Sequence, residues 1–319
     1  MGKIDDIQAY KEWTEYHRSL KRDKAADNLS PVERKKKLEK LEANVIEWIL
    51  FFFSEFAKYP FTKFHKKAIK RITTNMEWYE VLSWSRELAK STIVFMCMMY
   101  LVLTGKKKNV LLISNSHENA VRLLEPYKKA FESNSMLKAY YGDLREFGSW
   151  TADEFTLTTG ATFRAIGALE SPRGTRKDAV RPDTALVDDF DTDADCRNPD
   201  ILKKKWEWFE EALFPTRSIS EDLLVIFCGN LIALDCCVKR AGDKADHWDI
   251  VNIRDKDGKS SWPEKNTEER INRIQSKIST KAFQQEYMNN PLSEGDTFKE
   301  MVWGCLLYTS PSPRDTERS

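Results

Sequence analysis

Two segments about a hundred residues apart constrain this chain more than anything else in it. The first, Trp84-Ser85-Arg86-Glu87-Leu88-Ala89-Lys90-Ser91-Thr92, puts Lys-Ser-Thr at the mouth of a long apolar helix. The second, Thr184-Ala185-Leu186-Val187-Asp188-Asp189-Phe190-Asp191, ends a short apolar strand in adjacent carboxylates. A lysine and a helix N-terminus hold phosphates. A hydroxyl and a strand-end carboxylate hold magnesium. In this order the two segments read as the halves of a nucleoside-triphosphate site.

The first segment departs from the strict phosphate-loop pattern G-x-x-x-x-G-K-[ST]. Ala89 stands for the second glycine and Trp84 for the first. The loop still runs strand, tight turn, helix. Backbone N–H groups do the cradling, and Ala89 is small enough for close approach. Lys90 is expected to neutralise β/γ-phosphate charge, and Ser91 or Thr92 to ligate the cation. The plainer reading is a surface Lys-Ser-Thr that caps an ordinary helix. In the second segment, burying Asp188 and Asp189 is costly without a cation or donors nearby. Asp188 is expected to hold magnesium and Asp189 to orient the attacking water, with Asp191 as the other candidate for that role. Against this stands an acidic turn at the surface. Arg86, four residues before Lys90, is a candidate γ-phosphate contact, or else the partner of Glu87.

The rest of the chain keeps an α/β rhythm. Residues 1–45 are charged and helix-prone, a helical arm in which Ser30, Pro31 and Glu33 start a helix through a capping box. The aromatic-rich stretch 46–72 is expected to form helices over a sheet edge. Strands are predicted at 81–84, 109–114, 184–187 and 223–228, with a hairpin around Gly160 in 153–169. Helices are predicted over 91–103, from His117 to Phe131 with a kink at Pro126, after Asn198-Pro199, and from Ile271 to Met288 with a break near Ser279. Residues 243–265 read as polar loop. The predicted fold is a P-loop NTPase of the RecA/ASCE-like kind, with a mainly parallel central sheet flanked by helices.

The run Ile93–Leu103 is too short to span a bilayer and reads as a helix buried on all sides. The N-terminus has no apolar signal core. Six cysteines show no zinc spacing and read as reduced cytoplasmic thiols. A formal net charge of +1 gives no bulk pull toward nucleic acid, so any such surface must be local. Candidates are Lys106-Lys107-Lys108, Lys203-Lys204-Lys205, and Arg173 with Arg176 and Lys177, each with a solvated surface as the plainer reading. From Cys305 to Asp315 the chain resembles translated read-through of a sequencing adapter. Residues 305–319 are therefore set aside as artefact, and the natural protein is expected to continue beyond Gly304.

The order Ser85–Thr92, then Arg181-Pro182-Asp183 leading into Asp188-Asp189, then Phe283-Gln284-Gln285-Glu286-Tyr287-Met288-Asn289-Asn290-Pro291 resembles the large terminase subunit of tailed bacteriophages, over roughly residues 60–300. The resemblance implies an ATP-driven motor that moves double-stranded DNA into a procapsid. ATP and Mg2+ would be its cofactors. Portal protein, small terminase subunit and a homo-oligomeric ring would be its partners, and the host cytoplasm its location. A glycine-poor loop with an arginine four before the lysine is normal in that family. Ser85, Arg86, Ala89, Lys90, Ser91 and Thr92 then form the nucleotide loop, Ser91 and Asp188 the metal pair, and Arg86 the sensing or finger arginine. Many relatives carry glutamate where this chain has Asp189. Gly229-Asn230 sits at the position of the coupling motif. His65, with Phe64, falls where relatives hold adenine. Ser171–Arg176 resembles a basic loop before the second motif. The ATPase domain is placed at 46–295. The start of a linker is placed at 296–304, before a nuclease domain that the family normally adds and that this sequence does not supply. A helicase-like DNA translocase and a nucleotide-binding assembly module without turnover are the alternatives.

Overall fold

A computed structural model describes residues 29–172 and 181–291. The first part of the arm (1–28), the basic loop residues Arg173, Arg176 and Lys177, and the linker and adapter-like tail (292–319) lie outside the described residues. The chain begins with three helices, α1 (Pro31–Glu42), α2 (Val45–Phe52) and α3 (Lys63–Thr74). Ser30 and Glu33 close the expected capping box at the start of α1. There follow β1 (Trp78–Trp84), α4 (Lys90–Leu103), β2 (Asn109–Ser114), α5 (His117–Ser133) and α6 (Ser135–Tyr141). Next come β3 (Arg145–Trp150), β4 (Glu154–Leu157), β5 (Thr162–Gly167), β6 (Thr184–Asp188), α7 (Asp193–Cys196) and α8 (Pro199–Glu207). The last elements are β7 (Leu224–Cys228), α9 (Cys237–Gly242), β8 (His247–Val251), α10 (Glu268–Gln275) and α11 (Thr280–Met288).

All eight strands share one sheet in the order β3-β4-β5-β2-β6-β7-β1-β8. Along the sheet from β5 to β8 every neighbouring pair is parallel, and β4 alone runs the other way, antiparallel to both β3 and β5. The inner parallel strands β2, β6 and β7 are buried on both faces, as a parallel sheet requires. Its side chains alternate between two cores. Leu82, Val110, Leu112, Leu186, Leu224 and Ile226 point into the larger one, under α1–α6. Val81, Leu111, Ile113, Ala185, Val187, Val225 and Phe227 point into the smaller one, under α8 and α9. Helix α4 is buried without a break from Ile93 to Val102, so its apolar run is explained by the interior of an α/β fold. Among the described residues no helix is long and apolar enough to cross a membrane.

Three elements depart from the sequence reading for local causes, and one helix agrees with it. Strand β8 lies inside the stretch read as loop. It is an edge strand, paired only with β1, and its His-Trp-Asp-Ile-Val composition lacks the apolar run of its neighbours. Edge strand β3 was hidden in the same way by exposed polar residues. Helix α5 starts at His117 as expected and contains Pro126, ending at Ser133. The stripe Leu202, Trp206, Phe209, Leu213 leaves the α-helix at Glu207 and finishes in a π-helical turn, Trp208–Leu213, which keeps Phe209 and Leu213 buried.

Candidate nucleotide site

Ligands of open parallel sheets bind beyond the carboxyl ends of the strands. At that end β1, β6 and β7 deliver the loop after Trp84, the acidic turn after Val187, and Gly229-Asn230. Strand β7 lies between the other two, so loop and acidic turn face each other across one strand width. The cleft between them encloses about 620 Å³. Ser85, Arg86, Ala89, Lys90, Ser91, Thr92, Asp189, Asp191, Gly229 and Asn230 all line it.

The loop replaces glycine with strain. Glu87 and Ala89 hold φ of 70° and 59°, the left-handed region that glycine enters freely. Each costs a side-chain-bearing residue about 1–2 kcal/mol. Such strain persists only where the surroundings over-determine it, and here they do. The Ser85 N–H donates to the Val251 carbonyl at 2.8 Å, and the Arg86 N–H to the Glu286 carbonyl at 3.1 Å. Lys265 Nζ and Asn266 Nδ2 both donate to the Glu87 carbonyl, at 2.8 and 3.1 Å. Ala89 then opens α4 with no side-chain cap. The first-turn N–H groups of Lys90, Ser91 and Thr92 are thus left to a ligand, which is the geometry of an anion site.

Across the cleft, Ser91 Oγ donates to Asp188 Oδ2 at 2.6 Å, and the Asp189 N–H donates to Asp188 Oδ1 at 3.1 Å. Asp188 is buried. Burial pushes its carboxyl up to about 6, against the pull of the Lys90 charge. A buried carboxylate held against a hydroxyl is the donor set of a hard cation, so Ser91 and Asp188 fit magnesium. Asp189 is exposed to the cleft at φ 47°, a conformation that turns its carboxylate away from the core. Lys90 Nζ donates to Asn230 Oδ1 at 3.3 Å, and Asn230 Nδ2 to the Glu286 carbonyl at 3.1 Å. A Cβ on Gly229 would lie 2.3 Å from Val238 Cγ2, so the chain passes here only without a side chain.

Other expectations need correction. His65 is fully buried and does not line the cleft. Its Nδ1 accepts from the Thr62 N–H at 3.2 Å, and its Nε2 donates to the Leu88 carbonyl at 3.0 Å. It props the loop from behind, so the adenine role expected of it has no surface to act through. Asp191 uses both carboxylate oxygens on the N-terminus of α9, accepting from Cys237 and Val238 N–H at 3.1 and 2.9 Å. Arg86 pairs with Glu286 at 2.5 Å, while Glu87 pairs with Lys265 at 3.0 Å. Two lysine runs proposed for DNA lose their middle or last member to the interior. Lys107 Nζ donates to the carbonyls of Met76, Asp183 and Asp222, and Lys205 Nζ to the Phe190 carbonyl and Asp195.

The cleft also contains residues the sequence reading missed. Asn115, directly after β2, and Asn119 line it, joined by a 2.6 Å hydrogen bond. Their signal was present, since Asn115 stands at the carboxyl end of a buried parallel strand. Glu286, part of the third segment of the resemblance but given no role there, also lines the cleft, and Asn289 of the same segment lies behind it. Asn289 is buried at the end of α11 at φ 46°. Its amide donates to Ser83 O, Val251 O and Asn252 Oδ1 and accepts from the Leu231 N–H.

Fold and site together define a class: an α/β protein with a mainly parallel sheet, whose glycine-poor loop at the end of β1 faces an acidic pair at the end of β6. No family model and no curated protein matches the chain. It is similar to the solved HK97 bacteriophage large terminase, at 14% identity over 73% of this chain and 51% of that one, TM-score 0.49. It is also similar to the large terminase ATPase domain of Thermus phage P74-26, at 15% identity over 75% and 97%, TM-score 0.45. The chain thus spans about half the length of the HK97 protein. Likeness at this level carries no functional weight, which rests on the cleft.

Proposed function

We propose that the chain is the ATP-hydrolysing motor subunit of a phage terminase, which couples hydrolysis to movement of double-stranded DNA into a procapsid. The observation that carries the nucleotide reading is the Ser91–Asp188 hydrogen bond, with Lys90 beside it and the uncapped first turn of α4 facing the same space. The terminase reading is supported by convergence. The three segments that carry the resemblance meet at the cleft, through the Ser91–Asp188 hydrogen bond and the Arg86–Glu286 pair.

In this reading the N–H groups of Lys90–Thr92 and the Lys90 ammonium hold the β- and γ-phosphates. Ser91 and Asp188 hold Mg2+, which when bound neutralises phosphate charge as it builds. Asp189 accepts a proton from water and orients it. Asp191 holds α9, and Asn230 sits between the phosphate lysine and α11, where it senses whether the lysine is engaged. Arg86 leaves Glu286 to meet the γ-phosphate. Portal protein, small terminase subunit and neighbouring copies in a ring are the proposed partners, in the host cytoplasm.

The test is magnesium-dependent ATP hydrolysis by the full chain, with and without linear duplex. Lys90→Ala should lower turnover at least about a hundredfold. Asp189→Asn should lower turnover by about 10²–10⁴ with nucleotide affinity kept. Asp191→Asn should instead lower the melting temperature and keep most turnover. Hydrolysis undisturbed by Lys90→Ala would sink the site. Equal losses at Asp189 and Asp191 would sink the division of roles.

A further inference from the structure

Helix α3 is electrostatically unfavourable on its own. Its sequence, Lys-Phe-His-Lys-Lys-Ala-Ile-Lys-Arg-Ile-Thr-Thr, contains no carboxylate. His65, Ala68, Ile69 and Ile72 form the buried stripe. Lys63, Lys66, Lys67 and Lys70 form the exposed one, at spacings that place them side by side. Like charges three and four apart repel. Lys63 and Lys66 also stand in the first turn, where the helix dipole disfavours cations. Among the described residues none of these four ammonium groups has an ion-pair or hydrogen-bond partner. By contrast Arg71, at the edge of the stripe, is tied to Glu80 and Asp249. In a chain of net charge +1, this is a local concentration of uncompensated positive charge.

We propose that the outer face of α3 is a contact surface for the phosphate backbone of duplex DNA, a partner whose choice rests on the motor reading above. Lys63 to Lys70 spans about 10 Å of helix axis, long enough to follow several phosphates of one strand. No apolar side chain is exposed within the stripe. The core of a protein–protein interface is aromatic and poor in lysine, whereas sequence-independent duplex binding is built from lysine and arginine on phosphates. The surface also has a route to the cleft. His65, on the inner face of the same helix, donates to the Leu88 carbonyl of the phosphate loop, two residues before Lys90. A strand seated on the outer face therefore bears on the helix that props the nucleotide loop.

The test is anisotropy of a labelled random-sequence duplex with the full chain across a salt series. The variant Lys63→Gln/Lys66→Gln/Lys67→Gln/Lys70→Gln should bind at least about tenfold more weakly at physiological salt. It should also flatten the plot of log affinity against log salt by about three. Its basal ATP hydrolysis should match the parent, and its stimulation by duplex should be lost. A control removes the same charge from exposed Lys256, Lys259, Lys277 and Lys281 and should shift the slope by less than about one. The proposal falls if the α3 variant binds like the parent, or if the control loses as much. It also falls if the parent prefers polyglutamate to duplex and the α3 lysines carry that preference, which would mark a docking face for an acidic protein. Lys90→Ala reports on the nucleotide site separately. If it hydrolyses ATP normally, the function proposed above fails, while the binding comparison still decides the α3 surface.

Discussion

Ala89 shows how this loop does without its glycine. At φ 59° the methyl group is tolerated, but a branched side chain would not be. Ala89→Val should therefore lose about 2 kcal/mol or more in urea unfolding, while Ala89→Gly should fold at least as stably as the parent. Parity of Val with Ala would show that the left-handed turn is not required. His65 makes a second prediction at this scale. Burial pushes its imidazole down to about 4, against an ordinary 6.5. Below 6.5 the unfolded chain takes up a proton that the folded chain refuses. The contribution is thus complete above pH 6.5 and lost as pH falls toward 4. The shift corresponds to roughly 3 kcal/mol. Unfolding measured at pH 7.5 and 4.5 should show the difference between parent and His65→Gln narrowing by about 2–3 kcal/mol at the lower pH. A gap that stays constant would mean that His65 is protonated in place. The sequence carried a warning about this residue. Its spacing to Ala68, Ile69 and Ile72 is the buried period of α3, and that period outweighs its nearness to the loop in sequence.

Among the elements, the short apolar strands β2, β6 and β7 were legible because a strand buried on both faces writes its whole length in Val, Ile, Leu and Ala. The edge strands were not, because half-exposed pairing leaves polar residues in place. The same division applies to the site. Lys90, Ser91 and Asp188 stand at the ends of the elements that present them, so local pattern was enough to single them out as candidates. Glu286 meets Arg86, and Asn289 gathers Leu231, Val251 and Ser83, so their contacts exist only after the sheet forms. The turn from Asp188 to Asp195 is fixed along its length. Phe190 is buried against Phe227, its carbonyl takes the Lys205 ammonium, Asp191 caps α9, and Thr192 with Asp195 closes a capping box. The junction of β7 with α9 is equally tight. Gly229→Ala should cost about 1–3 kcal/mol, since Val238 is branched and buried and cannot swing away. Val238→Ala, mildly destabilising alone, should recover most of that loss in the double variant. Simple additivity in thermal unfolding would place the strain elsewhere.

At the scale of the whole molecule, a net charge near zero conceals a sorted distribution. Two lysines, Lys107 and Lys205, are spent inside as struts for carbonyl groups. Carboxylates gather at the carboxyl ends of the parallel strands, and unopposed ammonium groups line the outside of α3. The third segment of the resemblance ties these regions together. The side chain of Asn289 joins the ends of β1, β7 and β8 to α11 through an amide that donates to three acceptors and accepts from one donor. In mechanical terms these bonds form a rivet. A tug on the chain beyond Pro291 loads them in parallel, so they share the force and yield together. Tension from that side would therefore reach the end of β1 as one discrete release, with no gradual slackening before it.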